Sequence, residues 1–119
     1  VGRRSRRRAS APKLEPPTAE YRADGGAVLT LRCVLTPKTR AQYAEVLHGN
    51  VLSQEDAWQR AVEFLFERLA VRWEIAGVPT EGQRDLLLRL RAATADERAF
   101  VRRALREHCA EWFPDVEAP

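Results

Sequence analysis

The chain has 119 residues, 20 Lys+Arg against 17 Asp+Glu, two Cys and no Met, with 45% hydrophobic and 31% charged residues and a formal net charge of +3. The first 13 residues hold Arg3, Arg4, Arg6, Arg7, Arg8 and Lys13 without an acid, so they carry +6 and the remainder carries −3. A globally basic nucleic-acid-binding domain is thereby excluded, and so is a membrane span, because no apolar run approaches 18 residues.

Residues 1–17 form a low-complexity Arg/Ser/Ala/Pro arm that ends in Pro16-Pro17. Charge self-repulsion and the lack of large apolar groups predict an extended, disordered segment. Its charged start is that of an export signal, but Ala9–Glu20 lacks the apolar stretch that such a signal needs. Residues 18–119 are expected to form one domain. Ala19–Ala23 and Ala27–Leu35 flank Asp24-Gly25-Gly26, whose glycines accept positive φ, so a β-hairpin is predicted. In its second strand Leu29, Leu31, Cys33 and Leu35 alternate with Val28, Thr30, Arg32 and Val34, which makes one face dry and the other wet.

Thr36-Pro37 changes the period, since Thr caps helices and Pro suits the first helical turn. A helix over 37–47 is expected to bury Ala41, Ala44 and Leu47 with Tyr43 on a flank, and to stop at His48-Gly49-Asn50. Ser53 caps the next one, with Asp56 three residues on. There Trp58, Val62, Leu65, Leu69 and Trp73 follow a helical spacing and fall on one stripe, with Phe66 at its edge and Phe64 and Val71 well off it. Gly77 and Pro79 end this element. Thr80 with Gln83 predicts a capping box for a helix over 81–92 that turns Leu86, Leu87 and Leu90 inward. Thr94 with Glu97 predicts another, for a last helix that runs to Trp112. Its apolar side carries Val101, Ala104, Leu105, His108 and Trp112, and its polar side Arg98, Arg102, Arg103 and Arg106. The fold class is therefore α+β, mainly α, a hairpin followed by about four helices.

The chemistry-bearing residues are sparse. His108 and Cys109 are adjacent, so on a helix they diverge by about 100° and cannot chelate one ion, and no other His or Cys stands at ligand spacing. No metal or other cofactor is expected. His108 on an apolar stripe reads as a core histidine, and Cys33 between leucines as a neutral buried thiol of a reducing compartment. There is no nucleophile elbow, and Gly25-Gly26 lies inside a hairpin rather than at a helix start. An enzyme is accordingly not expected. The five arginines Arg3, Arg4, Arg6, Arg7 and Arg8 could neutralise phosphates, which supports an alternative function: weak, non-specific nucleic-acid contact through the arm.

Taken together, "LTLRCVLTPKTRAQYAEVL", a helix closing in "FLFERLAVRWEIAGVP" and the Leu-rich "QRDLLLRLR" resemble the small tail assembly chaperones of long-tailed bacteriophages and prophages. The resemblance covers roughly residues 20–112 and includes Val71-Arg72-Trp73 followed by a Gly-Pro loop. It implies a non-enzymatic protein of the bacterial host cytoplasm that coats a helical tape measure protein, recruits tail tube subunits, and can self-associate. On that basis the expected partner-binding residues are Trp58, Val62, Phe66, Leu69 and Trp73, partly core and partly contact surface, with Phe64 and Val71 on the outward flank; the alternative is that all seven are interior packing.

Overall fold

A computed structural model describes residues 16–49 and 53–119. The arm assigned to residues 1–17 therefore lies outside the described residues, except for its last two prolines. Strands β1 (Thr18–Arg22) and β2 (Val28–Arg32) form the expected antiparallel hairpin, in which Tyr21 pairs with Leu29. The main chain is tied from Pro17 onward, whose carbonyl accepts a hydrogen bond from the Cys33 N–H at 2.8 Å. Helices α1 (Pro37–His48) and α2 (Gln54–Leu69) follow. Thr36 and Ser53 cap them by accepting from the N–H groups of Thr39 and Asp56.

The next element corrects the sequence reading. The helix that was expected to reach Trp73 stops at Leu69, and the chain enters strand β3 (Ala70–Ile75) directly, turns, and returns as β4 (Val78–Glu81). Valine, tryptophan and isoleucine favour a half-buried pleated surface, and pairing with β2 outweighs a helical spacing that reached Trp73 by coincidence. A second hairpin thus stands between the second and third helices, so the order is hairpin, two helices, hairpin, two helices. The strands form one antiparallel sheet in the order β1-β2-β3-β4. Thr30 pairs with Arg72 and Leu31 with Ala70, which leaves Val71 as the extra residue of a bulge. That bulge lets both Ala70 and Trp73 face inward.

Helix α3 (Gln83–Arg91) begins later than its expected capping box, because Thr80 belongs to β4. Its N-cap is Gly82 at φ 87°, without a side-chain cap. The capping box of helix α4 (Ala95–Trp112) does form, with Thr94 and Glu97 each accepting from the other's N–H. The turn of the second hairpin places Ala76 at φ 52° and Gly77 at φ 78°. Asparagine tolerates this left-handed conformation better than alanine, so Ala76→Asn is expected to raise stability by about 0.5–1 kcal/mol in a urea titration.

One sheet face is apolar and bears Leu29, Leu31, Ala70 and Trp73; α2, α3 and α4 cover it and α1 packs on α2. The other face is wet, with Glu20, Thr30, Arg72 and Glu81 in one cross-strand row and Arg72 ion-paired to Glu74 at 3.1 Å. Three helix faces differ from expectation. In α1, Tyr43 and Leu47 are buried while Ala41 and Ala44 are exposed. The reason lies at the far end of the chain: the Tyr43 hydroxyl donates to the Glu117 carbonyl, and Arg40 pairs with Asp115. In α4, Trp112 is 42% exposed and Phe113 takes the interior position. Leu87 of α3 is only half-buried. Among the described residues, no helix is long and apolar enough to cross a membrane.

Candidate functional site

The turn between α3 and α4 builds a concave feature on one side of the helical layer. Thr94 and Glu97 hold the start of α4, Arg89 binds Glu97 at 2.7 Å, and Arg98 donates to the Arg91 carbonyl at 2.9 Å. These contacts set α3 and α4 against α2 and leave a cleft of ≈ 430 Å³ between them. Its floor is Val62 and Leu90, its rim Trp58, Gln59, Glu55 and Glu63 from α2, and Arg91, Arg98 and Arg102 from the other side. Arg91 is paired with Glu63 at 3.0 Å. Arg102 lies over the Trp58 ring, 5.9 Å from its centroid, and its Nε is buried without a hydrogen-bond partner. Trp58 is 37% exposed, so an indole with a cation on one side faces solvent over an apolar floor.

A second cluster is interior. His108 is fully buried, its Nδ1 lies 2.7 Å from the Tyr21 hydroxyl and its Nε2 lies 2.7 Å from the Arg32 carbonyl. A carbonyl only accepts, so Nε2 carries the proton; Nδ1 then accepts from the tyrosine, and the ring is neutral with both nitrogens satisfied. Burial holds the His108 pKa below the ordinary histidine range, against the opposing pull of its Arg32 hydrogen bond and of Glu111. Burial likewise raises Tyr21 to about 12 and Cys109 to about 11, and pushes Cys33 up. Both cysteines are free and buried.

The chain was compared with protein-family models, curated proteins and solved structures, and none matched.

The seven expected partner-binding residues do not form one stripe. Phe66, Leu69 and Trp73 are interior, and Phe66 and Trp73 meet edge to face at 5.7 Å. Phe64 is half-buried between Tyr43, 6.0 Å away, and the Arg68 guanidinium. Val71 is the bulge residue of β3, also half-buried. Trp58 and Val62 alone of the seven line the cleft. The arginines Arg3, Arg4, Arg6, Arg7 and Arg8 lie outside the described residues. Sequence reasoning missed Leu90, Arg91, Arg98 and Arg102 as neighbours of Trp58. Arg98 and Arg102 sit one turn apart on the polar side of α4, which reads locally as a solvated face; only the α3–α4 turn brings them to α2. Among the described residues, no group of three or more His, Cys, Asp or Glu is placed to hold a metal ion.

Proposed function

We propose that the protein is a non-enzymatic binding module of the tail assembly chaperone type, which takes a helical segment of a longer protein, such as a tape measure or a tail tube subunit, at the α2–α4 cleft. The observation that carries this reading is Trp58, a large aromatic left more than a third exposed at the rim of an apolar-floored cleft. Aromatic anchors of this kind dominate the energetics of protein interfaces. The titratable groups support a binding role over catalysis. His108 has no free nitrogen, and the two thiols are held protonated by burial.

The test asks first whether a long coiled-coil protein and a tail tube protein are encoded beside this gene, and then titrates helical fragments of each against the full chain by size exclusion and calorimetry. Binding to one fragment, lost in Trp58→Ala while that variant remains folded and cooperative in its melting, is the expected result. The absence of both neighbouring genes, or of binding to any fragment, would overturn the reading. A gel shift across salt with the full chain and with residues 1–13 removed examines the phosphate-binding alternative. A shift that collapses by physiological salt and needs residues 1–13 would assign that activity to the arm.

A further inference from the structure

The charges around the cleft specify what kind of helix it takes. Of the five charged side chains that line it, Glu63 and Arg91 neutralise each other, which leaves Arg98, Arg102 and Glu55. The first two stand one turn apart on α4, about 6 Å along its axis. Arg98 is exposed and engages the Arg91 carbonyl. Arg102 has no carboxylate within ion-pair distance among the described residues and keeps a buried Nε without an acceptor. A guanidinium so placed gains from any carboxylate that approaches it, because its partial burial weakens competition from water. Glu55 lies one turn before Trp58, at the Arg102 end.

We infer that the cleft recognises an acidic amphipathic helix that lies along α4, inserts one large apolar side chain against Trp58, Val62 and Leu90, and presents carboxylates at i and i+4 to Arg98 and Arg102. The volume fits this mode. A whole helix is about 10–12 Å across with its side chains and does not enter ≈ 430 Å³, whereas an apolar side chain and the carboxylates flanking it do. Side chains at i and i+4 of the partner are spaced like the two arginines, so one register satisfies both. Glu55 sets the direction: it repels a further acid beyond Arg102 and favours a base there. This inference rests on the proposed helix-binding function and adds the partner's chemistry.

The experiment uses the full chain and two fluorescently labelled synthetic helices with the same apolar face, one with Glu at the i and i+4 positions and one with Lys. Anisotropy is read at low and at physiological salt. The Glu helix is expected to bind wild type at least about tenfold more tightly than the Lys helix. Arg98→Glu/Arg102→Glu is expected to reverse this preference, and the single exposed change Arg98→Glu to reduce it, which keeps the test valid if the double variant is less stable. Equal binding of both helices, abolished by Trp58→Ala, would overturn the charge inference and leave the helix-binding function standing. Failure of both helices to bind would overturn the two together.

Discussion

Trp73→Ala is expected to lower stability by about 3–5 kcal/mol, whereas Trp58→Ala should cost about 1 kcal/mol or less. Both tryptophans belong to the same helical stripe when the sequence is read alone. In the fold Trp73 is 1% exposed, stacks edge to face on Phe66, and lies beneath the Arg89 guanidinium at 5.3 Å. Its removal opens a cavity between sheet and helices that neighbours on a tight bulge cannot close. Measured against the 5–15 kcal/mol typical of a small domain, roughly, that loss leaves a protein near its unfolding limit. The indole Nε1 is also buried without a partner. Trp73→Phe removes that unsatisfied donor and keeps much of the volume, so it should cost clearly less than Trp73→Ala. Urea unfolding of the three variants checks this. Equal losses for Trp58→Ala and Trp73→Ala would contradict the break of the helix at Leu69.

The second large effect is acid sensitivity through His108. The neutral ring bridges β1, β2 and α4 by accepting from Tyr21 and donating to the Arg32 carbonyl. Its folded pKa is depressed below the ordinary value of 6.5, mainly by burial. The unfolded chain therefore binds the proton more readily than the folded one. The stabilisation is complete above the unfolded histidine pKa and drains away as the pH falls below it. Protonation also removes the acceptor that Tyr21 uses. A plot of unfolding free energy against pH should thus decline below pH ~6.5, before ordinary carboxylates begin to titrate. His108→Gln, which keeps a donor and an acceptor on an uncharged side chain, should flatten that decline. His108→Ala strands the Tyr21 hydroxyl and the Arg32 carbonyl and leaves a void, at a cost of about 2–4 kcal/mol at neutral pH. A pH profile of His108→Gln identical to that of wild type would remove His108 as the source. Glu97 adds a later loss in more acidic solution, since its hydrogen bond from Arg89 holds it below the usual carboxylate range.

These two residues also mark where local sequence carries information. His108 is legible because its helix is long, capped by Thr94 and Glu97, and periodic from Val101 to His108, so its place on the apolar face follows from spacing alone. Trp73 is interior for a different physical reason: its spacing from Leu69 suits a helix, yet the chain there is a strand, and the bulge at Val71 turns it inward. Short apolar stretches such as Ala70–Ile75 satisfy both periods, and the choice depends on whether an unpaired strand edge, here β2, is available. The candidate site was half legible. Trp58 is legible as a partner-binding member of the helical stripe, but its neighbours on α3 and α4 come from more than thirty residues on in the chain.

Local sequence suffices for the first hairpin, the caps at Thr36, Ser53 and Thr94, the dry face of Leu29, Leu31, Cys33 and Leu35, and the interior place of His108, because each depends on near neighbours and on one clear period. The separation of a +6 arm from a −3 remainder is likewise a property of the residues alone. Tertiary structure decided the end of α2, the second hairpin, the rotation of α1 that buries Tyr43, and the meeting of Trp58 with Arg98 and Arg102. In each of these, the local preference was nearly balanced, and the free energy that tipped it came from a partner surface distant in the chain.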